Sequence, residues 1–299
     1  MRGASTAAAG MLAVEDPHNP PEVLPLSRYS LSLYPQFLER IANLTGTPVP
    51  YQTDTTIQYL DDRTTFPLKE HSLDPRQLAS AILAAIEAAK ILLIEEVHST
   101  TFDQEGGAVQ VRTASGTEFH APCVVHAEGA GHREVLHGSG RKGQMLRVAL
   151  PPSLKNLREV HRRRDVYLVP RTTGPQAGTA LIGATVEEVD EDTDLRVHQE
   201  TLTQLRTLAA EIFPEIGDPV TAPMVESWAG IRPWVIDGLP LLGPASDLRQ
   251  REFLALGHFR NGILHAPGTA SLLADLIEGK SPAIDAAPFS FPRKSVHKS

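Results

Sequence analysis

The sequence predicts an α/β chain with α+β elements, in which one domain of mixed strands and helices is interrupted by a second domain built on an antiparallel sheet. Three observations lead there. Near the carboxy end, the apolar run Phe253 to Leu256 passes through a glycine-bearing loop into helically spaced apolar residues. Between residues 144 and 231, four strand-like runs occur, with one helical stretch between the last two. Two further stretches, near residues 27–44 and 75–88, carry the 3.6-residue period of amphipathic helices.

Taken in order, Ser5 to Leu12 is a run of small residues broken by Gly10, suited either to close packing against a flat surface or to a frayed terminus. Ser27 to Leu44 places Leu31, Leu33, Tyr34, Phe37, Leu38 and Ile41 at helical spacing and stops near Gly46. Thr55 to Leu60 is strand-like. Asp74 can cap a helix whose first residue is Pro75 and whose apolar face is Leu78, Ile82, Leu83 and Ile86. Ile91 to Val97 is an aliphatic run read as a strand, Ala108 to Thr113 begins a hairpin turning at Ser115-Gly116, and Cys123 to Ala127 reads as another buried strand. The four strands that follow are Gln144–Leu150, Val166–Arg171, Ala180–Glu188 and Val225–Ile231, with a helix over Val197–Phe213. After Leu256 the loop His258 to Gly262 bends at glycine, Pro267 suits a first helical turn, and Leu272, Leu273, Leu276 and Ile277 form a helical face that ends at Gly279.

Composition bounds the function. A 299-residue chain with a formal charge of −8 and no basic stripe is not a general nucleic-acid binder. Apolar stretches fall far short of the ~20 residues of a membrane span, and the first residues lack the apolar core of a secretion signal, so no membrane role is expected. Cys123 is the single cysteine, which excludes a disulfide framework and points to the cytoplasm. Gly138 to Gly143 spells GxGxxG but neither follows an apolar strand nor opens a helix, so it is set aside as a dinucleotide fingerprint. No GxSxG elbow is present, no His spacing makes a metal site, and Arg162-Arg163-Arg164 reads as a solvated face.

Two features carry chemistry. A loop feeding a helix start offers unpaired N–H groups and about half a positive charge, which favours an anion or an electron-rich ring edge; a simple strand-to-helix crossover also needs such a glycine. Arg232, in the apolar run Trp228 to Pro233, needs an anionic partner if buried, whether a structural carboxylate or a ligand's.

The order and spacing of WAGIRP, DGLPLLGP and GHFRNGILHAP, together with the ASTAAAGML start, resemble the FAD-dependent D-amino-acid oxidase and glycine oxidase family, its thiamine-biosynthesis branch above all. The resemblance covers nearly the whole chain. It implies the FAD-dependent amine oxidase fold, with a discontinuous FAD-binding domain over residues 1–46, 68–143 and 232–290 and a substrate domain over 47–67 and 144–231. The family's opening strand, GxGxxG and helix, on the order of 30 residues, has no counterpart here, and the dinucleotide-binding domain is read as truncated. The resemblance further implies that Arg232 pairs with a substrate carboxylate, helped by the Tyr167 hydroxyl, although a strand tyrosine packed in a sheet reads the same way. It places Ala4, Ser5, Ala9, Gly10, Met11, Val97, Gly129, His258, Phe259, Arg260, Asn261, Gly262, Ile263 and Leu264 against the FAD. Glu128 and Gly131-His132 depart from the family's alanine and tryptophan-serine, which puts that part of the pocket in question. The implied reaction oxidises the C–N bond of glycine or a small amino acid to the imino acid, with oxygen as acceptor and no metal. A D-amino-acid or sarcosine oxidase and a flavin-free homologue stand as alternatives, and the chain's self-association into a homo-oligomer is left open.

Overall fold

The computed structural model describes residues 3–61, 64–95, 97, 100–105, 108–136, 140–189, 195–246 and 251–292. The first half of the chain forms α1 (Ala4–Ala7), α2 (Leu24–Thr45), β1 (Tyr51–Thr53), β2 (Thr56–Tyr59), β3 (Thr65–Leu68), β4 (Ser72–Leu73), α3 (Pro75–Ala88), β5 (Thr100–Glu105), β6 (Ala108–Thr113), β7 (Glu118–Ala121), β8 (Val124–His126), α4 (Arg133–Leu136) and β9 (Gly140–Ala149). There follow β10 (Val160–Arg162), β11 (Tyr167–Arg171), β12 (Thr179–Gly183), β13 (Glu187–Glu188), α5 (Gln199–Ala210), β14 (Met224–Pro233), β15 (Leu241–Pro244), β16 (Glu252–Leu256) and α6 (Gly262–Ile277).

Local signals set several boundaries. Gly46 adopts φ 70° and ends α2, its N–H donating to Ala42 O at 2.8 Å. Asp74 caps α3 by accepting from Arg76 N at 2.9 Å, with Pro75 as the first helical residue. The long helix α6 begins at Gly262 rather than near Ala270, so Pro267 lies inside it and not in its first turn. Neighbours on α2 make this tolerable. Ile263 O, which Pro267 cannot bond, accepts the Tyr34 hydroxyl, and the Ser30 hydroxyl donates to Leu264 O at 2.6 Å while accepting from Gly268 N at 2.8 Å.

Among the described residues four sheets form; β1 pairs β4, β5-β6-β7 make a three-stranded meander, and the other two sheets position the site. The larger has the order β13-β9-β12-β11-β10-β2-β3, with β14 also paired to β9, and is antiparallel except where β10 runs alongside β2. Strand alternation divides its faces. Leu146, Val148, Leu168 and Ile182 pack under Leu202, Leu205 and Ala209 of α5. Met145, Val169 and Leu181 point the other way, toward Ala9 and Met11, with Tyr167 and Trp228 beside them. The smaller sheet, β15-β16-β8, has β16 parallel to β8 and packs through Leu242 and Phe253 on Leu272 and Leu273 of α6.

Four expectations change. Residues 91–95 and 97 form no strand, and Ile91, Leu92, Leu93, Ile94 and Val97 are exposed, because no described strand offers them a ladder to join. The strand at Cys123–Ala127 is reduced to β8, whose Val125 is exposed at the sheet's edge. The run Ala180–Glu188 breaks after Gly183 into β12 and the short β13. Arg162 is not on a solvated face: it is 2% exposed and forks onto the buried Glu70, whereas Arg164 is exposed. The GxGxxG segment meets its expectation as far as it is described, since Gly140 to Gly143 open β9; Gly138 and Ser139 lie outside the described residues.

Candidate active site

The antiparallel register of β14 on β9 sets Gly230 opposite Gly143 and Arg232 opposite Arg141. Gly143 leaves room that the Arg232 side chain fills: a Cβ there would stand 2.4 Å from both terminal guanidinium nitrogens. Tyr167 uses the same device on the next strands, since a Cβ at Gly183, its Cα partner on β12, would come within 2.8 Å of the hydroxyl. Two glycines thus hollow one sheet face and let an arginine and a tyrosine lie along it.

Arg232 is half-buried. Its Nη1 donates to Thr185 O at 3.0 Å, and among the described residues it has no ion-pair partner. Burial pushes its pKa below the ordinary arginine value, opposed by Tyr167, with Arg260 adding to the depression. For Tyr167, burial pushes the phenol up, and the nearby Arg232 and Arg260 pull it back. The tyrosine is therefore a neutral donor at physiological pH, set between two cations.

The turn after β16 faces this pair. Phe259 sits at φ 48°, and its N–H donates to Pro233 O at 2.9 Å, which ties the turn to the residue beside Arg232. Arg260 Nη2 pairs with Asp16 Oδ2 at 3.1 Å, and Asn261 donates to Asn19 Oδ1 at 2.8 Å. At Asp16 burial alone would raise the carboxyl's pKa, but Arg260 and Arg162 hold it below the usual carboxylate value. His258 meets Thr269 Oγ1 through Nε2 at 2.9 Å, and burial drives its pKa down to about 4, so the ring is neutral.

The start of α6 has no side-chain cap and no acidic residue in its first turn. The amides of Gly262, Ile263 and Leu264 have no intrahelical acceptor. A 16-residue helix with its positive end left open, beside Arg260 and near an Arg232 that makes no ion pair among the described residues, fits the electron-rich edge of a flavin ring. The amino-terminal segment closes the other side. Trp228 Nε1 donates to Ala7 O at 3.0 Å, Arg171 Nη2 to Ala9 O at 2.9 Å, and a Cβ at Gly230 would fall 2.7 Å from Ala7 Cβ. Gly10, at φ 83°, leaves no room for a Cβ against Leu73 O.

The structure therefore gathers Arg232, Tyr167, the His258–Leu264 turn and the segment containing Ala4, Ser5, Ala9, Gly10 and Met11. Gly129 lies nearby, a Cβ there falling 4.0 Å from Pro233 Cγ. Val97 is not gathered: it is exposed beside Ile94, Thr113 and Phe119. Sequence reasoning missed Asp16, Asn19 and Thr185, and missed that Gly143 and Gly183 form the floor. Those two glycines become meaningful only once the strand register is known.

Comparison with known proteins shows the family and the fold. A family profile described as "DAO: FAD dependent oxidoreductase" matches residues 66–276. A glycine oxidase from Geobacillus kaustophilus is 33% identical over 97% of this chain and 87% of its own length. A bifunctional ThiO/ThiG protein from Synechocystis is 31% identical over 92% of this chain and 46% of its own. The crystal structure of glycine oxidase from G. kaustophilus superposes with a TM-score of 0.86 at 28% identity, covering 98% of this chain and 89% of that one. An iminodiacetate oxidase from Chelativorans shares the fold at a TM-score of 0.81 and 17% identity.

Proposed function

The chain belongs to the DAO family of FAD-dependent oxidoreductases, and we propose that it oxidises the C–N bond of glycine or a similarly small amino acid to the imino acid, passing electrons to oxygen, within thiamine biosynthesis. The observation that carries this reading is Arg232: a half-buried guanidinium that, among the described residues, makes no ion pair with a protein carboxylate and lies within electrostatic reach of Arg260 at the start of α6. In this reading the α6 start, Arg260, His258, Gly129 and the Ala4–Met11 segment hold the FAD, residues 1–46, 68–143 and 232–290 form its domain, and 47–67 with 144–231 form the substrate domain. Val97 joins the FAD set only as an adenine-side contact and has no support from its exposed position.

FAD supplies the two-electron acceptor. The chain's own residues supply position. Arg232 presents a planar fork that matches a carboxylate bidentately, and the neutral Tyr167 hydroxyl donates a further hydrogen bond to it. Fixing the carboxylate at two points would orient the α-carbon and amine toward a flavin held by the α6 start and Arg260, which is catalysis by orientation. His258 stays unprotonated above pH about 4 and so adds no competing cation beside Arg232 and Arg260. No helix among the described residues is long and apolar enough to cross a membrane, and a cytoplasmic setting is the one proposed.

Purified protein, with and without added FAD, is expected to show flavin absorption, and to turn over glycine with a higher kcat/KM than sarcosine or D-alanine. Colourless protein that takes up no FAD would establish the flavin-free alternative; a preference for D-alanine or sarcosine would reassign the substrate. A sharper test of the floor is Gly143→Ala. The new methyl collides with the far end of a flexible side chain, so the fold is expected to survive while Arg232 is displaced. The expected outcome is a KM for glycine raised at least about tenfold, worth roughly 1.4 kcal/mol, with the melting temperature close to wild type. An unchanged KM would place the carboxylate elsewhere.

A further inference from the structure

Beyond the residues assigned to substrate and flavin, the chain brings together three side chains of metal-ligating type. His126 ends β8 and is buried, and Glu128 and His132 flank the single turn of 3-10 helix at Gly129–Gly131. That turn, with Gly129 at φ 61° and Gly131 N–H donating to Glu128 O at 3.2 Å, folds His132 back over His126. Their rings meet edge to face at 5.0 Å. One ligand-type atom from each of His126, Glu128 and His132 lies within 4.8 Å of the other two.

A second observation concerns the far side of the His126 ring. Nδ1 stands 3.0 Å from Glu128 Oε1, on the cluster side, while Nε2 stands 3.4 Å from Oε2 of the buried Glu252. Glu252 opens β16, the strand parallel to β8, so the sheet itself fixes this carboxylate behind the imidazole. An imidazole with one nitrogen turned to a carboxylate and the other turned to candidate ligands is the arrangement that orients metal-binding histidines.

We propose that His126, Glu128 and His132 form a site for a divalent transition-metal ion of the zinc class, with Glu252 holding His126 in the tautomer that ligates through Nδ1. Two imidazoles and one carboxylate are the donor set that suits such an ion, and three protein ligands leave a fourth position to water or a ligand. The His126–Glu128 separation already matches the ligand-to-ligand edge of about 3.3 Å that bonds of roughly 2.0 Å give in a tetrahedron. His132 closes the site by a movement on the order of 1.5 Å, judged against that same edge. Glu128 and His132 are also positions at which this chain departs from the family pattern, so the site belongs to this chain's own sequence. An ion there would pin the turn that carries Gly129 beside Pro233.

The test uses the full chain, stripped with a chelator and measured both as isolated and with FAD added. Titration with Zn²⁺ by calorimetry, and with Co²⁺ by visible absorption, is expected to show one ion per chain and ligand-field bands of a low-coordinate His and carboxylate site. Glu128→Gln and His132→Ala alter exposed or half-buried side chains, so both variants should keep the wild-type melting temperature while losing at least tenfold in affinity. Glu252→Gln should keep the stoichiometry and weaken affinity 10- to 100-fold, as expected of a carboxylate behind the ligand. Absence of saturable uptake, or uptake that Glu128→Gln and His132→Ala leave unchanged, overturns the proposal and leaves His126 as a histidine bridging two carboxylates.

Discussion

Arg232→Ala is expected to raise the KM for glycine by roughly thirty- to several-thousand-fold, the 2–5 kcal/mol lost when one partner of a desolvated charge pair is removed. The site's construction supports the size of the effect. Arg232 rests on Gly143, which holds the guanidinium in place without crowding it, and burial presses its pKa down although Tyr167 and Glu187 oppose the shift. Glycine offers only its carboxylate and amine for recognition, so the neutral Tyr167 hydroxyl is the one other carboxylate contact this reading supplies. Arg232→Lys keeps the charge but not the fork, and is expected to fall between wild type and Arg232→Ala. Loss of the hydrogen bond to Thr185 O is the structural side effect, and a melting curve on each variant separates it from the kinetic one. A KM within threefold of wild type in Arg232→Ala would contradict the assigned role.

The second large effect concerns stability. Arg162→Ala is expected to cost 3–5 kcal/mol, read as a lower urea midpoint, because it strands a buried carboxylate. Arg162 Nη1 meets Glu70 Oε2 at 2.9 Å, Nη2 meets Oε1 at 3.4 Å, and Nε donates to Gln58 Oε1 at 2.6 Å. Both charged side chains are 3% exposed. Against the 5–15 kcal/mol that holds a typical domain together, this is a large share. The double variant Arg162→Met with Glu70→Leu should recover most of the loss, since replacing a buried pair by apolar groups is often neutral. A single variant as stable as wild type would show that water reaches the pair. Asp16 feels Arg162 as well as Arg260, so the pair also stands behind the contact that positions the flavin-side arginine.

Much of this was legible in the residues. The strand, glycine turn and helix around His258 to Leu264 could be read from an apolar run, a bend and a 3.6-residue period, and Arg232 announced itself by its apolar neighbours. What stayed hidden depends on who sits opposite whom. Pro267 looked like a helix start because nothing local shows that Tyr34 and Ser30, more than 200 residues earlier, take over its lost hydrogen bonding. Arg162 looked solvated because its partner Glu70 lies 92 positions away. Residues 91–97 looked like a strand because their aliphatic character is intrinsic, whereas a strand also needs a neighbour. His126, Glu128 and His132 were passed over because no helical period surrounds them, and only the turn at Gly129–Gly131 brings them together.

Titrating the FAD-loaded protein with acetate, a carboxylate with no oxidisable amine, and following the flavin absorption bands tests whether Arg232 holds a carboxylate against the ring. A saturable spectral change in wild type that disappears in Arg232→Ala is the expected result. Equal changes in both proteins, or none in either, would contradict it.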